Sequence, residues 1–387
     1  MTEGAVLVRQ SYLCGPTVRL RAVEAADALF EPSWRESWFP RARSVAQAHI
    51  ESEHTGGPTT LIAARNADGV IVGSVTIERE EPWSSIRPFA ARWLDPARAD
   101  AVEAEIVTLL VPFLVEEEGA IGAMAVVASG QPATEAALKR IGACFCFRRR
   151  EAWHVRGHRS DMLGYQLMNP RLAERIGPPE CTPEEPVERE VRSPAPKHWP
   201  VVETPPVGAV VIGARLYLRP WAPGDAEVLG EALHTDTEFE HEPRWPGGAL
   251  DIDRRFRTAS ESDLPDQLIF AIVLRETDEV IGHNKLKGLD LVHRSAETAT
   301  RLYRPEHRAQ GYGTEAKHLL LRYAFDTLAL HMVWANVWDR NPRSRTALLK
   351  QGYRLAGSIP WRQLHHGLPT GDWTFDLLAS EWKNDRQ

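Results

Sequence analysis

The chain has 387 residues, 43% of them hydrophobic and 26% charged, with a formal net charge of -7. That length favours two domains over one, and the composition is that of a globular protein, which excludes global disorder. An acidic balance without a clustered basic surface argues against a nucleic-acid partner and for a small-molecule or peptide substrate. No basic N-terminal segment leads into a long apolar run. The most apolar stretch, 106–115, holds Pro112 and falls well short of the ~20 residues that span a bilayer, so a cytoplasmic protein without a membrane partner is expected. Four cysteines, Cys14, Cys144, Cys146 and Cys181, are too sparse for a disulfide scaffold. Cys144 and Cys146 lack an obvious second ligand pair and read as small strand residues, so no metal site is expected.

Taken in order, the chain starts alike twice. Val18, Arg19, Leu20 and Arg21 precede Asp27 and Ala28 as Leu216, Tyr217, Leu218 and Arg219 precede Asp225 and Ala226. Each set reads as a strand followed by a helix opening. A hairpin pattern over 61–73 is matched over 270–282, and a helix end closed by Gly142 is matched by one closed by Gly352. Pro132 and Pro342 precede these helix ends at equal distances. Three matches in one order point to an internal duplication. Between the copies, prolines at 178, 179, 183, 186, 194, 196, 200, 205 and 206 exclude helix and paired strand and predict an extended linker. The expected organisation is a domain over 1–177, a linker over 178–209 and a domain over 210–387.

In the second half, strands are expected at 216–220, 269–274, 280–286, 296–303, 330–338 and 373–378. Helices are expected from 224, over 314–328 and over 342–351. The 314–328 helix places Ala316, Leu319, Leu320, Tyr323 and Ala324 on one face, with Lys317 and Arg322 turned away. Strands alternating with helices give an α/β or α+β class around a mixed central sheet. Between the 296–303 strand and this helix lie Arg308, Ala309, Gln310, Gly311, Tyr312, Gly313 and Thr314. Glycines there clear side chains from a helix N-terminus, so backbone N–H groups can face a phosphate. Phosphate loops ending in Gly-Lys-Ser/Thr and dinucleotide loops with a third glycine do not fit.

With Trp245 to Gly248, Ala296-Glu297, 305–316 and Asn341 to Tyr353, residues 210–383 resemble the GCN5-related N-acetyltransferases (GNAT), in the branch that includes ribosomal-protein N-terminal acetyltransferases. The resemblance implies two tandem GNAT-like domains, each a mixed sheet flanked by helices with a splayed central strand pair. It implies acetyl-CoA, or another acyl-CoA, as donor, with no metal. The loop from Arg308 to Thr314 would hold the pyrophosphate, Asn341 and Arg343 would lie at the cofactor, and a backbone N–H near Leu302 or Tyr303 would polarise the thioester. Glu297 is the candidate base, its alternative being a strand-edge carboxylate, and a one-residue slip would turn it to the other face. The tyrosine that relatives use as general acid is Leu348 here, which leaves Ser344, or Tyr353, to protonate the thiolate. Asn341 followed by Pro342 also reads as a helix N-cap. Trp245, His366 and Asp372 are candidates for the acceptor pocket, and Trp334, Trp338, Trp361 and Trp373 could wall it or belong to the core.

Counted from Pro96, the first-half counterpart of the loop reads Ala99, Asp100, Ala101, Val102, Glu103 and Ala104, with both glycines and the arginine gone and two carboxylates added. Gln131 stands where Asn341 does. The first half is therefore expected to keep the fold without binding acetyl-CoA and to serve as a built-in dimer partner, a homodimer of the chain being a further option. The expected function is acyl transfer to an amine of a small molecule or a peptide N-terminus. The alternative is a non-catalytic CoA sensor or interaction module.

Overall fold

The computed structural model describes residues 12–29, 44, 47, 59–80, 83–155, 157–178, 199–222, 224–235, 249–258 and 267–384. The chain forms two compact units that are not consecutive blocks of sequence. The first comprises Met1–Arg148, Ser160–Glu184 and Gly357–Asp372, and the second Arg149–Arg159, Glu185–Ala356 and Trp373–Gln387. The expected division at 177 and 210 is thus crossed twice, because each unit takes in a strand segment from the other half of the sequence.

The first unit contains β1 (Leu13–Cys14), β2 (Val18–Ala22), β3 (Thr59–Arg65), β4 (Ile71–Glu80), β5 (Trp83–Ala90), α1 (Pro96–Glu116), β6 (Gly122–Ala128), α2 (Pro132–Arg140), the start of β7 (Cys144–Val155), most of β8 (His158–Met168) and α3 (Pro170–Ile176). β2 to β5 form an antiparallel meander, β5 and β6 run parallel, and β8 pairs antiparallel with β6. Ile106, Val107, Leu110, Val111 and Leu114 of α1 pack on Val18, Leu20, Val75, Ile77 and Ile86 of the sheet. Cys144 is disulfide-bonded, beyond its expected role as a small strand residue, whereas Cys14 and Cys146 are free thiols.

The second unit contains β9 (Val211–Ile212), β10 (Leu216–Pro220), α4 (Asp225–Thr235), α5 (Ala249–Thr258), β11 (Leu268–Leu274), β12 (Val280–Asp290), β13 (Ser295–Leu302), α6 (Tyr312–Arg322) continued by a π turn (Tyr323–Thr327), β14 (Met332–Trp338), α7 (Pro342–Lys350), parts of β15 (Arg354–His365) and β16 (Leu368–Leu378), and α8 (Ala379–Asn384). β10 to β13 are antiparallel, and β13 runs parallel to β14. One face of the sheet buries Leu218, Ile272, Leu286, Ala296, Val333 and Ala335 under Ala316, Leu319 and Leu320 of α6. The other face packs Ile269 and Tyr303 against Ala226, Leu229 and Ile252 of α4 and α5.

Several local devices recur in both units. Arg21 pairs with Asp27 as Arg219 pairs with Asp225, each carboxylate also accepting a backbone N–H, from Glu24 and Ala222. Glu105 accepts the N–H groups of Thr17 and Val18, as Glu315 accepts those of Arg215 and Leu216.

Lys317 departs from expectation, being 4% exposed. α6 is covered on more than its core face, with His318 and Leu321 also buried, so a two-sided amphipathic reading fails. Among the described residues no helix is long and apolar enough to cross a membrane, and no group of three His, Cys, Asp or Glu side chains is placed to hold a metal ion.

Candidate active site

β13 ends at Leu302. The Tyr303 N–H, expected as one donor to the thioester, instead donates to Ile281 O at 2.9 Å and continues the pairing with β12. N–H groups alternate between the two neighbours of a strand, so the Leu302 N–H points away from β12. The chain then turns through Pro305–His307 and through Ala309 and Gly311, whose φ values are 59° and 81°. Gly311 is the N-cap of α6, and its left-handed backbone is one that a side chain would strain.

No side chain caps this helix, and its first backbone bond is the Glu315 N–H to Gly311 O at 3.1 Å. The N–H groups of Tyr312, Gly313 and Thr314 are therefore left to an outside acceptor. Two other helices are capped by their own N-cap side chains. Asp95 accepts the Arg98 N–H at the start of α1, and Asn341 accepts the Ser344 N–H at the start of α7, at 3.0 and 3.1 Å. A Cβ on Gly313 would meet nothing closer than Leu302 Cδ1 at 3.7 Å. Internal packing does not require glycine there, and its absence of a side chain keeps the amides open. An uncapped helix start beneath two glycines fits a pyrophosphate.

Arg215, which sequence reasoning missed, braces the loop. Its guanidinium donates to Gln310 O at 2.9 Å, pairs with Glu315 at 2.9 Å and lies 4.5 Å from the centre of the Tyr312 ring. It sits 95 residues before Gln310, and no local pattern links the two. Arg308 folds back on the strand end, donating to Tyr303 O at 2.9 Å. Gln310 Nε2 donates to Glu306 O.

β13 and β14 pair only from Ser295 with Met332 to Glu297 with Trp334, then part. Ala296 is in the core beneath α6, so alternation turns Glu297 to the opposite face. There it pairs with Lys287 of β12 at 3.0 Å. Val333 and Ala335 are likewise in the core, which places Trp334 and Asn336 on the Glu297 face. Arg149 of the arm Arg149–Arg159 lies 3.7 Å from the centre of the Trp334 ring and donates to Asn336 Oδ1 at 3.0 Å and Thr374 Oγ1 at 3.0 Å. Its neighbour Arg150 donates through its backbone and guanidinium to Asp376, whose side chain is wholly buried and also meets Arg354 at 3.2 Å.

Around α7, the Asn341 side chain caps the helix. Ser344 is half-buried, and Arg343 is exposed. Leu348 is a core residue. Tyr353 is fully buried and bonded to Thr298 Oγ1 at 2.7 Å, and burial raises its hydroxyl pKa well above the ordinary value. It is thereby a poor proton donor to a thiolate.

Two acceptor candidates lie on the β15–β16 hairpin. His366 (φ 52°) occupies the β15–β16 turn, and Asp372 is 3.8 Å from Arg362. Both cluster with the first unit, because the outer part of that hairpin packs there. Trp361 belongs to the same unit, where Gln166 holds its backbone. Trp373 carries Arg345 at 4.9 Å. Trp245 lies outside the described residues.

The first unit differs where the cradle would be. Matching Glu105 with Glu315 sets Arg98, Ala101 and Glu103 against Arg308, Gly311 and Gly313, one residue from the alignment counted on Pro96, so the arginine persists. α1 starts at Pro96 and runs through this segment, so its amides are used inside the helix. The two carboxylates do not crowd a phosphate site. Asp100 turns inward to cap α2 through the N–H groups of Ala133 and Thr134, each at 2.9 Å, and Glu103 accepts the Ala90 N–H at 3.0 Å.

Residues 215–354 match the family model described as an acetyltransferase (GNAT) domain. The C-terminal region thus carries such a domain, and its mixed α/β fold agrees with it. Two curated relatives are similar to parts of the chain. An uncharacterized N-acetyltransferase of Bacillus subtilis, YoaA, is 31% identical over 100 residues, 26% of this chain and 56% of the relative. An uncharacterized N-acetyltransferase of Bacillus licheniformis, p20, is 30% identical over 113 residues, 29% of this chain and 63% of the relative. The chain therefore spans less than two thirds of either relative's length. Among solved structures, the spermidine N-acetyltransferase of Vibrio cholerae in complex with CoA and spermine is 20% identical over 44% of this chain and 99% of that one, with a TM-score of 0.40.

Proposed function

We propose that the second unit is an acyl-CoA-dependent N-acyltransferase, most simply an acetyltransferase, acting on an amine of a small molecule or a peptide. The observation that carries this reading is the uncapped, glycine-opened start of α6, set directly after a strand that parts from its parallel neighbour. An acyl-CoA supplies an activated thioester. The amides of Tyr312, Gly313 and Thr314 hold its pyrophosphate, with Arg215 and Arg308 adding positive charge beside the loop. The Leu302 N–H, turned away from β12, is the donor for an oxyanion. Glu297 takes the proton from the acceptor ammonium, with the Lys287 ammonium 3.0 Å away. Asn341 fixes α7 by capping it, and Ser344 lies on the same helix turn.

We further propose that the two halves of the sequence are copies and that the first, a cytoplasmic pseudo-domain, has lost CoA binding. The repeated Arg–Asp and Glu–backbone devices support duplication, and the extension of α1 through the loop supports the loss. The test is thiol release from acetyl-CoA with a panel of primary amines, wild type against Glu297→Gln. Acceptor-dependent release that falls at least ~10²-fold in the variant is expected. CoA binding without acceptor-dependent release from any amine would favour a sensor.

A further inference from the structure

The proposed reaction leaves one proton without a donor. Tyr353 is tied to Thr298, Leu348 is in the core, and Ser344 has an alcohol's reluctance to give up a proton. A buried amine stands nearby. Lys317 follows Gly313 by one helical turn, so it lies on the same flank of α6 below the cradle. Glu315 fastens one side of α6 to Arg215 and Leu216 at the β10 edge. Two residues further, or about 200° around the helix, Lys317 faces the other side, where β13 and β14 part after Glu297 and Trp334. It is 4% exposed. The charged groups that bear on it are Glu297 of β13, which favours its ammonium form, and Lys287 of β12, which opposes it. Burial dominates and lowers its pKa from 10.5 to about 7. The first unit has Val107 at the matching position, in the core, so the amine accompanies the cradle and is absent with it.

We propose that Lys317 is the general acid of the acyl transfer, protonating the departing CoA sulfur from the gap between β13 and β14. This rests on the acyltransferase reading of the same site. The acceptor, an ammonium, loses one proton to Glu297. Its nitrogen forms the N–C bond, and the C–S bond breaks with the electron pair leaving on sulfur. The Lys317 ammonium delivers a proton to that sulfur, giving free thiol, and the neutral amine is reprotonated from the nitrogen's second proton by way of Glu297. One proton is released to solvent for each amide formed.

Two measurements test this. In the first, the intact chain is pulse-methylated with formaldehyde and cyanoborohydride across pH 5–11, and peptides are read by mass spectrometry with and without CoA. Lys317 is expected to react with a midpoint near 7 and to be slowed at least tenfold by CoA, while the reaction of exposed Lys350 is unaffected by CoA. A Lys317 that is unreactive without CoA, or indifferent to CoA, overturns the proposal. In the second, acetyl transfer to the amine panel is followed against pH. Wild-type kcat should fall as pH rises through 7, since the acid form is then lost. Lys317→Met should lose ~10²-fold or more in kcat with KM for acetyl-CoA unchanged, and its basic limb should vanish. Lys317→Arg should move that limb upward. A Lys317→Met variant within threefold of wild type, or with the limb in place, sinks the acid role and leaves the acyltransferase reading standing. A wild type that acetylates none of the amines overturns that reading and the acid role with it, whatever the labelling shows.

Discussion

Replacing Gly313 by glutamate should abolish CoA binding while leaving the fold as stable as before or more so. Gly313 has room for a Cβ, with Leu302 Cδ1 at an ordinary 3.7 Å. Within a helix a glutamate is favoured over glycine by ~0.5–1 kcal/mol, and in the first turn its charge adds ~0.3–1 kcal/mol. The first unit shows where that side chain goes, since Glu103 at the matching position accepts the Ala90 N–H. In the second unit the corresponding donor is the Leu302 N–H, so the new carboxylate would both fill the cradle and occupy the oxyanion donor. A carboxylate ~5 Å from a phosphate charge, at an effective dielectric of ~20–80, is repelled by roughly 1–3 kcal/mol per charge. Summed over a pyrophosphate, that weakens binding at least ~10²-fold, since each 1.4 kcal/mol is tenfold. Calorimetric titration with CoA and a thermal melt of the same sample read the two effects separately. CoA affinity within threefold of wild type would refute the cradle, and a melt lowered by several degrees would refute the packing argument.

Three more outcomes follow from named contacts. Arg215→Ala should loosen the loop and raise the Kd for CoA about tenfold, and an unchanged Kd would show that the bracing at Gln310 and Glu315 has no part in binding. Asp376→Ala should lower stability by ~3–5 kcal/mol in urea denaturation, because it removes the buried carboxylate that meets both Arg150 and Arg354 and leaves a void there, even though Glu381 still pairs with Arg150; a loss below ~1 kcal/mol would contradict this. For Lys317 the folded pKa lies below the unfolded one, so the native state binds fewer protons between pH 7 and 10.5 and stability rises with pH across that window. Lys317→Met should therefore be more stable than wild type by roughly 3–5 kcal/mol at pH 7, with the difference shrinking towards pH 10.5. A pH-independent difference would mean that Lys317 titrates normally.

Much of the fold was legible because its signals are local. The strand at Leu216–Pro220 and the helix from Pro342 carry their own alternation and capping residues, and both appear within a residue of expectation. The loop from Arg308 to Gly313 was legible because glycine at a helix start has few structural reasons to be there. What was not legible depends on distant parts of the chain. Arg149 reaches Trp334 and Thr374 across 225 residues of sequence to the latter, and nothing in the run Arg148-Arg149-Arg150 marks it as part of the second unit. Lys317 looks solvated on a helical projection, since a projection assumes that only one face is covered. His366 and Asp372 were assigned by their place before the last strand, but strand order along a chain does not say which unit a hairpin joins.

The first half also shows that losing a phosphate site need not proceed by repulsion. Glycines at 311 and 313 stop α6 at Tyr312 and leave three amides unpaired, which is a standing instability unless a ligand meets them. Ala101 and Glu103 remove that brake, and α1 extends to Pro96, where Asp95 caps it. The amides that would have met an anion are then satisfied within the helix, and Asp100 and Glu103 are drawn inward to groups the protein already holds. Each of these changes stabilises the fold and closes the site together. On this reasoning the open start of α6 is retained against a stability gradient, so converting Gly313, which has room for a side chain, towards its first-half counterpart should raise the melting temperature as it removes CoA binding.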